Sequence, residues 1–145
     1  MKTNIKVYVD GTFCQGKWGG GYAVFDKEKL IYQDCGIGID NPELNAMRNI
    51  SGEMSAAMHA ALWIDDNIGK GIIVHDYIGL SKWVTGEWQA KKSYTQLYRD
   101  FMQKYYALGI IDFEWVKGHT NVLGNEIADR LAYQSVLYNQ QWKYV

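Results

Sequence analysis

The chain has 145 residues, with 15 lysines and arginines against 16 aspartates and glutamates, for a net charge of −1. That length fits one domain with a real core, and a 48% hydrophobic content excludes a disordered chain. Balanced charge excludes a protein that grips nucleic acid through a broad basic surplus, so any attraction to a polyanion must be local or carried by metal ions. The first residues, Met1-Lys2-Thr3-Asn4-Ile5-Lys6, lack a signal peptide's apolar stretch, and no apolar run is long enough to cross a bilayer. Cys14 and Cys35 have neither metal-ligand spacing nor a disulfide framework. They read as reduced thiols of a cytoplasmic protein rather than as a single bridge.

Ile5, Val7 and Val9 alternate with Lys6 and Tyr8, which predicts a strand ending at Asp10. Gly11 to Gly21 is glycine-rich and leads into Tyr22-Ala23-Val24-Phe25, a second strand. A phosphate-binding loop should lead into a helix, so this stretch is predicted to be a long hairpin connection. A third strand runs from Leu30 to about Gly38, and Asp40 to Asn45, with the only proline (Pro42), reads as loop. Met54, Ala57, Met58, Ala61, Leu62 and Trp63 recur at helical steps from Ser51 to about Asn67. Ser51 or Asn49 would cap this helix, placing Glu53 in its first turn. Ile72-Ile73-Val74 is a short apolar run suited to a buried strand. A short helix over 76–84, a helix over 94–107, a strand over 110–116 and a helix from Asn125 to about Tyr138 complete the chain. This order predicts an α/β fold: a hairpin meander feeding a mixed sheet flanked by helices.

Four acids stand out against this frame: Asp10 and Asp76 at strand ends, Glu53 opening a helix, and Asp129 within the last helix. Carboxylates in apolar segments are costly unless paired, hydrogen-bonded or bound to metal. If the first and fourth strands are parallel neighbours, Asp10 and Asp76 meet in the crevice where ligands gather in such sheets. Taken singly, each has a plainer explanation. Asp10-Gly11 is a common turn dipeptide, Glu53 could stabilise a helix start, Asp76 could cap the next helix, and His119 could be a loop histidine. Asp129 is the hardest to dismiss, with Ile127, Ala128, Leu131 and Ala132 around it. His59 and His75 have no ligand-spaced partners and read as structural. Trp83 and Trp88, taken alone, read as packing residues.

In order and spacing, Asp10-Gly11, Glu53, Asp76 and Gly118-His119 followed by Asn125-Glu126-Ile127-Ala128-Asp129 resemble the type 1 ribonuclease H family over essentially the whole length. The resemblance implies one catalytic domain over 1–145, built on a five-stranded mixed sheet of order 3-2-1-4-5. It also implies endonucleolytic hydrolysis of the RNA strand of RNA/DNA hybrids with two Mg²⁺ ions, Mn²⁺ being the alternative. Asp10 would bridge the two ions, with Glu53, Asp76 and Asp129 completing their shells. His119 would assist the attacking water or product departure. Gly11, Asn49, Asn125 and Trp83 would meet the substrate. Two Mg²⁺ about 4 Å apart serve both the nucleophile and the leaving group of a phosphodiester, and Mg²⁺ prefers oxygen donors.

The segment from Tyr77 to Ser93 is short and keeps only Lys82, Lys91 and Lys92, so the chain resembles the family's variety without a basic handle. Fewer phosphate contacts mean weaker binding and a flatter salt dependence, leaving room for a partner or an oligomer to supply affinity. Two other functions stand beside the leading one. One is a hybrid-binding or interaction domain with little turnover, and the other is a different nuclease on the same fold.

Overall fold

The computed structural model describes residues 3–118 and 122–144. Its sheet has five strands in the order β3-β2-β1-β4-β5. β1 (Ile5–Cys14), β2 (Lys17–Asp26) and β3 (Lys29–Ile37) form an antiparallel meander. β4 (Gly71–His75) and β5 (Ile111–Trp115) add in parallel beside β1. Helices α1 (Pro42–Met47) and α2 (Asn49–Asn67) connect β3 to β4. α3 (Gly79–Thr85) and α4 (Ser93–Ala107) connect β4 to β5, and α5 (Leu123–Leu137) follows β5.

Two local expectations are corrected. The glycine-rich stretch is no long loop, because β1 and β2 pair without a break from Ile5↔Asp26 to Cys14↔Lys17. Only Gln15 and Gly16 turn the chain, with φ of 54° and 74°, the paired positive φ of a two-residue hairpin turn. Gly19, Gly20 and Gly21 therefore lie inside β2. The proline-bearing loop is a helix: Pro42 takes the first position of α1, where it lacks nothing. Asn41 caps it by accepting from the N–H groups of Glu43 and Leu44 at 3.0 Å.

α2 begins earlier than the capping argument places it. Asn49 is its first residue, and the Ser51 hydroxyl donates to the Leu44 carbonyl at 2.7 Å, tying α2 to α1. Glu53 thus sits in the second turn rather than at the dipole's positive end. The β2 glycines let both flanking helices approach the sheet. A Cβ on Gly20 would lie 2.3 Å from the Gly52 carbonyl oxygen of α2, and one on Gly21 would lie 2.8 Å from the Ala132 nitrogen of α5. On the α2 side, Ala56, Ala57, Ala60 and Ala61 are fully buried, continuing the small-residue surface.

The C-terminal segment straps the β3 side of the molecule. Asp34, 1% exposed, accepts from the N–H groups of Cys35 at 2.9 Å, Lys143 at 3.1 Å and Tyr144 at 3.0 Å. Trp142 stacks on His59, and the Tyr144 hydroxyl donates to Asp66. Buried donors without acceptors cost about 1–3 kcal/mol. Asp34→Asn, which gives up charge and one acceptor oxygen, should lower unfolding stability by an amount in that range, read from urea denaturation. An unchanged midpoint would mean that Trp142 alone holds the strap.

Candidate active site

The β1–β4 ladder runs from Lys6↔Ile72 to Tyr8↔Val74. Two residues further along each strand, Asp10 falls opposite Asp76, at the crevice where the two strands part. Asp10 does not end its strand as the sequence suggested: β1 continues to Cys14, paired there with β2. Asp76 directly follows β4. The Gly11 N–H donates to Asp10 Oδ1 at 2.8 Å.

Glu53 comes from the facing helix, and glycine makes its approach feasible. A Cβ on Gly11 would lie 2.2 Å from the Asn49 carbonyl oxygen and 2.4 Å from the Glu53 nitrogen. With hydrogen there instead, α2 rests directly on β1, and Glu53, 1% exposed, reaches Asp10 and Asp76. Each of the three acids offers an oxygen within 4.8 Å of the others. Glu53 Oε1 is buried and has no hydrogen-bond partner. An unpaired buried carboxylate oxygen beside two more carboxylates fits a hard divalent cation, for which such oxygens are the natural donors.

Burial is the main reason that Asp10 is pushed up to about 8; the charge of Asp76 adds to the shift, the Gly11 N–H opposes it, and Asp129 raises it further. Glu53 is also raised well above the carboxylate range, by burial first and then by Asp76 and Asp10, against an opposing backbone N–H from Tyr77. The consequence for stability has a definite sign. Between pH 4 and 8 the folded, metal-free protein holds protons that the unfolded chain has released, so stability falls as pH rises through that window. Thermal unfolding in EDTA should show a midpoint dropping from pH 5 to pH 8. Mg²⁺ should restore it most at the alkaline end, because binding displaces protons. A midpoint that rises with pH in EDTA would contradict this account of the cluster.

The remaining expected residues fall out unevenly. Asp129 lies on α5, exposed, close enough to Asp10 to hydrogen-bond with it, and outside the tight group of three. His119 lies outside the described residues. Asn49 is exposed at the start of α2, and Asn125 is half-buried in the first turn of α5. Gly11 is buried under α2, so its evident work is to admit that helix. Trp83 packs into the aromatic core, as its reading taken alone suggests, and it also lines a surface groove. It is 9% exposed, with its ring against Tyr77, Trp88 and Tyr98. Trp88, 39% exposed, is the more open of the pair.

Beside them runs a groove of about 330 Å³, lined in part by Ile50, Tyr77, Trp83, Gln89, Lys91 and Lys92. Lys82 is engaged with Glu87 at 2.7 Å. Sequence reasoning missed Gly52, whose spacing next to Glu53 gave only a weak hint. It also missed Trp115, whose indole N–H donates to the Asp76 carbonyl at 2.9 Å. No sequence signal marks that bond.

A mixed α/β sheet brings acids from β1, α2 and the end of β4 into one crevice that could hold a metal ion. The RNase H family model matches residues 2–136, and the chain belongs to this family of metal-dependent endoribonucleases. A ribonuclease H of Chromohalobacter salexigens is 30% identical over 88% of this chain and 81% of its own. Among solved structures, RNase H1 from Halobacterium salinarum NRC-1 superposes with a TM-score of 0.76 at 17% identity, covering 92% of this chain and 98% of that one. LC11-RNase H1, solved in complex with an RNA/DNA hybrid, gives a TM-score of 0.71 at 13% identity, covering 91% and 99%. At those identities the structural likeness speaks for the fold.

Proposed function

We propose that this chain, acting as a single catalytic domain, cuts the RNA strand of RNA/DNA hybrids endonucleolytically, using two Mg²⁺ ions held by Asp10, Glu53, Asp76 and Asp129. The observation that carries the reading is the convergence of three carboxylates, one of them a buried glutamate with an unpartnered oxygen. Family membership and the hybrid bound by LC11-RNase H1 support the choice of substrate. When bound, the ions would polarise a water and stabilise the charge that builds on the phosphate and the leaving oxygen.

The protein's own groups do the rest. The Gly11 N–H orients the Asp10 carboxylate. Burial raises both Glu53 and Asp10 above the ordinary carboxylate range, so metal binding there would displace protons. Asn49 and Asn125, in the first turns of α2 and α5, would meet the hybrid, and His119 would assist water activation or product departure. The groove lined by Trp83, Gln89, Lys91 and Lys92 would take the partner strand. With so few cations there, affinity should be modest, and a partner or second copy could add to it. Free Cys14 and Cys35 suit a reducing cytoplasm. Among the described residues no helix is long and apolar enough to cross a membrane.

The deciding experiment incubates end-labelled RNA, alone, paired to RNA and paired to DNA, with the protein and Mg²⁺. Cleavage confined to RNA in the hybrid is the expected result. A hybrid bound but left intact in both Mg²⁺ and Mn²⁺ would overturn the catalytic reading, and cutting of DNA without ribonucleotides would overturn the substrate.

A further inference from the structure

The peptide that joins Asp76 to Tyr77 lies between two of the clustered acids and is held from both sides. Its carbonyl accepts the Trp115 indole N–H at 2.9 Å. Its N–H, that of Tyr77, faces the Glu53 carboxylate. Trp115 is the last residue of β5 and pairs with His75, the last residue of β4. The final backbone rung of that edge is the Val116 N–H on the His75 carbonyl, at 2.9 Å. For the next carbonyl, that of Asp76, the donor is a side chain.

We infer that Trp115 is a positioning residue for the acid cluster, acting through the Asp76–Tyr77 peptide to aim both Asp76 and Glu53 at a shared cation. The peptide group is planar and rigid, so fixing its carbonyl also fixes the direction of its N–H. A hydrogen bond at one end further polarises the group at the other. Without the indole N–H, this peptide can rotate about its flanking bonds, and the two acids lose a common reference. Packing does not account for the residue, which is 53% exposed. An exposed tryptophan kept only to fill space would have little space to fill. A Cβ on Gly118, three residues on, would stand 3.3 Å from Asp76 Oδ2.

The inference rests on the reading of Asp10, Glu53 and Asp76 as a divalent-cation site, and its test separates the two. Trp115→Phe keeps an aromatic ring and removes the donor. Mn²⁺ and Mg²⁺ binding to the substrate-free protein is measured by calorimetry. Hybrid cleavage is then followed across Mg²⁺ concentrations, and melting in EDTA reports on folding. Removing a partner that orients a metal ligand weakens metal binding by roughly 10- to 100-fold.

The expected result is a shift of that size in metal affinity, with a higher Mg²⁺ requirement for cleavage. KM for the hybrid at saturating metal and the EDTA melting point should stay close to wild type. Unchanged metal affinity overturns the inference. So does a raised KM with metal affinity intact, which would make the exposed ring a substrate contact instead. A wild-type protein that binds neither ion overturns the cation-site reading itself. Should Trp115→Phe fail to fold, semisynthetic replacement of Trp115 by benzothienylalanine keeps the ring system and lacks only the N–H, and the same readouts apply.

Discussion

Asp10→Asn should abolish hybrid cleavage while leaving the metal-free protein at least as stable as wild type near neutral pH. The two effects have one origin. Asp10 is half-buried beside Asp76 and within reach of Asp129, and is pushed up to about 8. Its ionised form therefore works against the fold whenever no cation is present. Asparagine keeps the shape and an oxygen to accept the Gly11 N–H, but it carries no charge to hold a metal. Losing a metal's stabilisation of the transition state, worth several kcal/mol, corresponds to a rate loss of roughly 10³-fold. Cleavage assays, with thermal melts in EDTA at pH 8, measure both halves. A variant that cuts at the wild-type rate would refute the metal site. One that is inactive but clearly less stable in EDTA would make Asp10 a structural residue.

Gly52→Ala should destabilise the fold strongly. Its Cβ would lie 2.0 Å from the Gly19 carbonyl oxygen, 2.8 Å from the Gly19 carbonyl carbon and 2.9 Å from the Gly11 Cα. All three are backbone atoms of the central strands, so no side chain can swing aside. Overpacking typically costs about 1–3 kcal/mol and more where neighbours cannot move, and we expect about 3 kcal/mol here by urea denaturation. Glu53 is the next residue, so whatever displacement relieves the clash also draws a carboxylate out of the cluster. Activity per folded molecule should fall along with stability. A variant with wild-type stability would mean that α2 can lift off the sheet at little cost, and that the glycine contact does not position Glu53.

The order of strands and helices was largely readable because it rests on local periodicity. The alternation of Ile5, Val7 and Val9 and the helical recurrence from Met54 to Trp63 are short-range patterns, and the sheet order 3-2-1-4-5 implied by the family resemblance is the one observed. The errors came where a residue's local preference was overruled from outside. Gly19-Gly20-Gly21 looked like a loop because glycine weakens strands. In the structure two helices press on those positions, and only hydrogen leaves them room. Pro42 looked like a breaker and instead opens a helix.

The sequence by itself marked Asp10, Glu53, Asp76 and Asp129 as the candidate acids, through their order and spacing along the chain. Only the tertiary structure decided how those acids stand to one another. Asp10, Glu53 and Asp76 form a tight group with Asp129 at its exposed margin, Glu53 is admitted by Gly11 and Gly52, and the Asp76 peptide is tethered by an indole from β5. The physical reason is range. Burial preference and periodicity are written in a residue's near neighbours along the chain. The distance between two carboxylates depends on how closely backbones far apart in sequence can approach, which no local pattern records.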